Sequence, residues 1–126
     1  MNFYTPLSRA RGFGSARSGR QHWWRQRVTA LALIPVSAWL ALSVAALPQA
    51  SHAELLAWVA QPWNTVLLLA VAGLGFYHAM LGLQVIVEDY LHAPVAKILG
   101  LLAVKLALGF AALVAGYAIL RIAFAG

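Results

Sequence analysis

The sequence has 126 residues, of which 63% are hydrophobic and only 10% are charged. A soluble domain of this length cannot bury so large an apolar fraction in one core, so the composition indicates an integral membrane protein. The sequence contains no cysteine, which excludes disulfides, Cys-based zinc sites and iron–sulfur ligation by this chain.

The N-terminal segment, residues 1–22, is rich in Arg, Ser and Gly and has no apolar periodicity. This pattern is typical of a solvated tail that orders only against a partner, and residues 23–126 are then expected to form one membrane domain. Six of the nine basic residues lie within the first 27 positions, directly before an apolar stretch. Contact with anionic lipid head groups explains this charge better than nucleic acid does, so we expect no nucleic acid partner.

Three apolar runs follow, over about residues 28–47, 63–90 and 95–123. Each run meets the roughly 20-residue length of a membrane-spanning helix, so the expected fold is an all-α bundle of three transmembrane helices. The first run also has features of a secretory signal, since Ser51-His52-Ala53 has the small-residue pattern of a cleavage site. Its apolar stretch is longer than the roughly 7 to 15 residues usual in such signals, which favours a retained helix.

Two short polar segments connect the apolar runs. The segment Ser51-His52-Ala53-Glu54 has the spacing of a capping box, and apolar residues follow it. It predicts a short interfacial helix that ends at Gln61-Pro62. The second segment runs from Glu88 to Pro94 and predicts a tight turn, in which Pro94 either stops the second transmembrane helix or begins the third.

The distribution of Lys and Arg predicts the orientation of the chain. The N-terminal flank carries the basic cluster, whereas the loop from Pro48 to Pro62 has no Lys or Arg. The positive-inside rule then places the N-terminus and the Glu88–Lys97 turn in the cytoplasm and the C-terminus in the periplasm of a bacterial inner membrane.

His78 is the most informative polar residue in the second run. It precedes Tyr90 by 12 residues, so at about 1.5 Å rise per residue it lies roughly 18 Å inside the cytoplasmic boundary, near the bilayer middle. Gly75 and Gly82 lie within about 60° of it, so this helix face is bare on both sides of the imidazole and suits a flat macrocycle. Two alternatives stay open: a hydrogen bond from the imidazole to a neighbouring helix, or close helix packing at glycines, which the third run also contains.

A second polar group is expected at the cytoplasmic surface. Asp89 follows His78 by about three helical turns, and Tyr90 and Arg27 belong to the same side of the membrane. A carboxylate, a phenol and a guanidinium can hydrogen-bond a quinone carbonyl and supply protons, although all three residue types also occur in an ordinary membrane interface. Lys105, in the third run, is expected to extend toward the cytoplasmic face or to contact a partner or an acidic group.

Catalysis by the isolated chain is not expected, because the sequence has no nucleophile–base set, HExxH motif, P-loop or Rossmann fingerprint. One histidine cannot supply both axial ligands of a six-coordinate haem, so a second ligand would come from another chain. Two other functional classes remain in competition with a cofactor subunit. One is a proton- or solute-conducting subunit with a relay through His78, Glu88 and Asp89, and the other is a purely structural anchor.

The segment FYHAMLGLQVIVEDY, residues 76–90, resembles the second-helix signature of the hydrophobic membrane anchor subunits of succinate dehydrogenase, respiratory complex II. The shared pattern is a His, a Gly four positions later, a Gln two further on, and then Asp-Tyr. His22-Trp23-Trp24 and Gln26-Arg27-Val28-Thr29-Ala30 are also similar to this family. The resemblance covers about residues 19–124, and the longer basic tail departs from the shorter members.

This resemblance implies specific roles for four residues. His78 would be an axial ligand of haem b, with the second histidine donated by a cytochrome b556-type partner subunit. Tyr90 would bind the quinone, with Asp89 beside it to supply protons, and Arg27 would lie near the haem propionates and the quinone pocket. A flavoprotein subunit would oxidise succinate, an iron–sulfur subunit would pass on the electrons, and ubiquinone would be reduced at the membrane surface.

Overall fold

The computed structural model describes residues 15–124, with side chains described from residue 19 onward. This part of the chain forms four α-helices: α1 (Ser15–Ala45), α2 (His52–Ala60), α3 (Pro62–Tyr90) and α4 (Pro94–Phe124). Three of them contain segments long and apolar enough to cross a membrane, namely Gly19–Ala45, Pro62–Tyr90 and Pro94–Phe124. The described residues contain no strand, and the expected all-α bundle of three membrane helices is confirmed.

Helix α1 begins earlier than the apolar pattern predicted. Residues 15–22, which the sequence assigned to a tail, are helical, and the helix continues through Pro35 to Ala45. Once a helix has nucleated, each added residue contributes a further hydrogen bond, so polar residues can extend an apolar helix. A hydrogen bond from His22 to the Leu81 carbonyl connects the end of this extension to α3. The remainder of the predicted tail, residues 1–14, lies outside the described residues.

Helix α2 begins with the capping box that the sequence predicted. The Ser51 backbone N–H and hydroxyl donate to the Glu54 carboxylate over 2.7 and 2.8 Å, and the Glu54 N–H donates to Ser51 Oγ over 3.3 Å. These hydrogen bonds lower the pKa of Glu54, because they stabilise the ionised carboxylate. The helix ends at Ala60, with Gln61 as its C-cap.

The corner between α2 and α3 is closed by two buried polar residues. Asn64 Nδ2 donates to the Trp58 carbonyl over 2.8 Å, and Thr65 Oγ1 donates to the Val59 carbonyl over 2.7 Å. These bonds satisfy carbonyl groups at the end of α2 that have no partner within the helix. Trp58 also stacks on Trp39 of α1, with ring centroids 5.7 Å apart, so α2 is connected to both neighbouring helices.

The turn between α3 and α4 shows which of the two helices contains Pro94. Helix α3 ends at Tyr90, with the Leu91 N–H donating to the Val87 carbonyl over 3.0 Å, and Pro94 begins α4. The two helices approach closely at Gly100, where an added Cβ atom would lie 2.9 Å from Leu91 Cδ1 and 3.1 Å from Val87 Cγ1.

The glycines that suggested close packing from the sequence have no such neighbours. An added Cβ atom at Gly109 or Gly116 of α4, or at Gly75 of α3, would meet no atom of the described chain within 4 Å. Close packing within this chain therefore depends on Gly100, and the spacing of the other glycines does not explain it.

Helix α3 occupies the centre of the molecule. It packs against both α1 and α4, and within residues 15–124 α1 and α4 do not pack directly on each other. Leu81 of α3, with 4% of its surface exposed, is the one buried apolar side chain among the described residues. Large apolar residues such as Leu31, Phe110 and Leu113 stay mostly exposed. Such a surface requires lipid or other protein subunits to cover it.

Candidate functional site

His78 lies where α3 contacts α1, and both of its ring nitrogens face side chains of α1. Its Nδ1 atom is 2.8 Å from Thr29 Oγ1, and its Nε2 atom is 3.4 Å from Gln26 Nε2. Thr29 is buried, with 6% of its surface exposed. The structure therefore contains the hydrogen bond to a neighbouring hydroxyl that was one alternative for His78, but this bond uses only one nitrogen of the ring.

A cleft of about 670 Å³ opens between α1 and α3 at His78. This volume lies within the range of about 300 to 1,000 Å³ that is usual for small-molecule sites. The residues that line it are Gly19, His22, Trp23, Gln26, Arg27 and Ala30 from α1 and His78, Gly82, Gln84, Val85 and Glu88 from α3. His78 is thus placed in the wall of a cavity large enough for a cofactor.

Gly82 contributes to the space in this cleft. A Cβ atom at Gly82 would lie 3.6 Å from Gln26 Nε2, so a longer side chain there would enter the cleft. Gln26 Oε1 is buried and has no hydrogen-bond partner among the described residues. A buried amide oxygen normally has a partner, so this atom leaves the cleft with an acceptor that a hydrogen-bond donor can use.

The polar rim of the cleft is formed by residues one turn apart on each helix. The Arg27 guanidinium lies over the Trp23 ring at 5.4 Å from its centroid, which is a cation–π contact. On α3, Gln84 Nε2 donates to Glu88 Oε1 over 2.8 Å. The rim therefore carries one cation from α1 and one carboxylate from α3.

His22 fastens the N-terminal part of α1 to α3. Its Nε2 atom donates to the Leu81 carbonyl over 3.2 Å. From the sequence, His22 was expected only to belong to the family pattern, with no contact assigned to it. The signal that was available is its spacing, because His22, Gln26 and Thr29 follow one another at intervals of four and three residues and so share one helix face.

The other expected site residues lie apart from His78. Asp89 and Tyr90 are exposed at the end of α3, with 77% of the Tyr90 surface accessible, and neither lines the cleft. Arg27 does line it, so the structure joins Arg27 to His78 rather than to the Asp89–Tyr90 pair. Glu88, which was expected only as part of a proton relay, is the acidic residue that lines the cleft.

Lys105 of α4 lines a second, smaller cleft of about 340 Å³ together with Arg25 and His22 of α1. The remaining lining residues are Gln21, Tyr77, Met80, Leu81 and Gln84. Lys105 therefore faces the side of the molecule where α1 meets α3. Within the described chain, no three His, Asp or Glu side chains lie close enough together to hold a metal ion.

Fold and cleft together define a small all-α integral membrane protein in which polar side chains of α1 meet one histidine of α3. A family profile described as succinate dehydrogenase/fumarate reductase transmembrane subunit matches residues 1–115. The chain belongs to this family, and the resemblance noted from residues 76–90 is confirmed. The match also includes the basic segment before residue 19, which the resemblance did not cover.

Individual relatives agree with the family. The succinate dehydrogenase hydrophobic membrane anchor subunit of Rickettsia bellii is 37% identical over 106 residues, which are 83% of this chain and 84% of that protein. The protein of the same description from Paracoccus denitrificans is 30% identical over 97 residues, covering 77% of this chain and 75% of that protein. No solved structure matches the chain.

Proposed function

We propose that the chain is the membrane anchor subunit of a succinate:quinone oxidoreductase, that it provides one axial ligand to haem b, and that it forms part of the ubiquinone site. The observation that carries the haem assignment is the position of His78, whose ring lines a cleft between α1 and α3 while its Nδ1 atom is held by Thr29. The family assignment supports the anchor role.

The residues of the cleft fit a haem. His78 offers the Nε2 atom, whose one hydrogen-bond contact among the described residues is the long 3.4 Å approach of the Gln26 amide, and Gly82 leaves the helix surface beside it bare. Trp23 and Val85 provide apolar walls, and Arg27 at the rim suits an acidic substituent such as a propionate. Haem, when bound, supplies a one-electron carrier. The second axial ligand would come from the cytochrome b556-type partner subunit.

The quinone site is proposed at the cytoplasmic end of α3. The Tyr90 phenol is accessible there and can donate a hydrogen bond to a quinone carbonyl, while the neighbouring Asp89 carboxylate can relay protons from the cytoplasm. Electrons would arrive from the iron–sulfur subunit, after the flavoprotein subunit has oxidised succinate. Because Asp89 and Tyr90 lie outside the cleft, partner subunits would complete this pocket.

The test of the haem assignment is an absorption spectrum of the complex purified with His78→Ala in this chain. We expect the Soret and alpha bands of haem b to be lost or strongly altered, whereas His92→Ala, at an exposed histidine in the α3–α4 turn, leaves them unchanged. Unchanged bands in the His78 variant would remove His78 from ligation. A wild-type complex without haem bands, together with His78 variants that change proton or solute flux, would favour a conducting subunit instead.

A further inference from the structure

We propose that Thr29 is a positioning residue for His78: its hydroxyl accepts the Nδ1–H of the imidazole and so keeps the Nε2 lone pair free for a ligand in the cleft. This inference rests on the proposed haem function and assigns a role to a residue of the opposite helix. Its basis is a set of short contacts around one buried oxygen atom.

Thr29 Oγ1 has a single proton but several short neighbours. It lies 2.8 Å from the Arg25 carbonyl, 3.1 Å from the Gln26 carbonyl and 2.8 Å from His78 Nδ1. Carbonyl oxygens can only accept, and an O···O distance of 2.8 Å is that of a hydrogen bond with a proton between the atoms. The Thr29 hydroxyl therefore donates its proton to the Arg25 carbonyl. The oxygen is left to accept a hydrogen bond from His78 Nδ1–H.

The other ring nitrogen agrees with this assignment. In a neutral imidazole only one nitrogen carries a proton, so a protonated Nδ1 leaves Nε2 as an acceptor. The group nearest to Nε2 is the Gln26 amide nitrogen, a donor, at 3.4 Å. At this distance the contact is a weak one, and a stronger electron-pair acceptor in the cleft can replace it.

The Thr29 contact also has the geometry of a support for a metal ligand. A histidine that binds a metal through one nitrogen usually donates its other N–H to an oxygen, which fixes the ring orientation and makes the ligating nitrogen more electron-rich. Thr29 is β-branched, is 6% exposed and is bonded to its own helix, so its hydroxyl has little freedom to move. The pairing thereby connects the position of α1 to the orientation of the His78 ring on α3.

The experiment compares Thr29→Val with Thr29→Ser in the complex assembled with all its subunits. Valine has nearly the shape of threonine without the hydroxyl, whereas serine keeps it. We measure haem retention on dilution, the midpoint potential of haem b and the largest g value of its electron paramagnetic resonance spectrum. Succinate oxidation with an artificial acceptor serves as the control for assembly.

In Thr29→Val we expect haem binding to weaken by about 10-fold or more, which is the usual effect of removing a partner that orients a metal ligand. We also expect a higher midpoint potential, because a less electron-rich Nε2 stabilises ferric iron less, and a shifted largest g value. Thr29→Ser is expected to stay close to the wild type in all three measurements. If Thr29→Val does not assemble, Thr29→Ala replaces it, since a smaller side chain avoids steric conflict with α3.

The inference is overturned if the hydroxyl-free variant assembles and matches wild type in potential, g value and haem retention. It is also overturned if Thr29→Ser shifts them as much as Thr29→Val does, since the effect would then be one of packing. Both outcomes are distinct from failure of the proposed function, in which the wild-type complex has no His78-dependent haem spectrum.

Discussion

Tyr90 exposes most of its side chain at the end of α3, next to Asp89, where neither residue contributes to the packing of the chain. A side chain with so few contacts inside its own protein can be replaced without destabilising the helix. Effects of such a replacement therefore report on what the phenol binds in the assembled complex.

We predict that Tyr90→Phe reduces the rate of ubiquinone reduction by at least about 10-fold, equivalent to about 1.4 kcal/mol of lost transition-state stabilisation. The physical reason is loss of the O–H donor to the quinone carbonyl. The measurement compares succinate oxidation with ubiquinone and with an artificial acceptor, and only the first is expected to fall. Tyr117→Phe is the control: Tyr117 is also exposed but lies in α4, and this variant should retain both activities. Equal loss of both activities in Tyr90→Phe would point to a defect of assembly.

Helices α3 and α4 come close together at Gly100. Of the described glycines, Gly100 is the one where an added Cβ atom would meet its neighbours at the shortest distance. Gly100 lies one and a half turns into α4, and the space where its side chain would be is taken by Leu91 and Val87. A small residue lets two membrane helices come close enough for extensive van der Waals contact, which is a main source of helix association within a bilayer.

We predict that Gly100→Val lowers the stability of the anchor by about 1–3 kcal/mol, the usual range for overpacking a closely packed site. A side chain at this position would meet Leu91 Cδ1 and the Cγ atoms of Val87, and the β-branched Val87 cannot rotate away as freely as Leu91. The measurement is the temperature at which half of the assembled complex has dissociated on heating. Gly116→Val on the same helix is the matched control. An equal effect of both substitutions would show that contacts with other subunits, and not the α3–α4 approach, limit the stability.

At the scale of the whole molecule, α3 is the long helix that packs against both of the others, and large apolar side chains of all three stay exposed. A protein with this little burial does not stabilise itself as a monomer in water. Its positions in the membrane and against other subunits are set by lipid, by partner chains and by the distribution of its charges.

We predict the orientation from that charge distribution. Alkaline phosphatase, which is active only outside the cytoplasm, should be active when fused after Ala50 or after Gly126 and inactive when fused after His92. The reason is the cluster of Arg20, Arg25 and Arg27 at the start of α1, which favours a cytoplasmic N-terminus. A fluorescent protein that folds only in the cytoplasm should give the complementary pattern. The reverse result with both reporters would place the N-terminus in the periplasm.

Much of this architecture follows from the sequence by itself. Twenty or more consecutive apolar residues can satisfy their backbone hydrogen bonds in lipid only as a helix, so three such runs determine three spans without knowledge of any contact. The Ser51–Glu54 capping box is equally local, because all of its bonds connect residues three positions apart. The sequence also identifies His78 as a candidate site residue. Placing an ionisable side chain inside a membrane helix costs free energy unless it has a partner there, so such residues are usually functional.

Only the tertiary structure decided what surrounds His78. Thr29, Gln26 and His22 are separated from their partners on α3 by 49 to 59 positions. Their spacing places them on one face of α1, but it does not indicate which residues of α3 that face meets. The same holds for Gly100, whose importance depends on side chains across the turn, while the more regularly spaced Gly109 and Gly116 meet no atom of the described chain. Local hydrogen bonding and hydrophobicity specify helices, but the register between helices depends on shape and on single polar contacts that form after the helices exist.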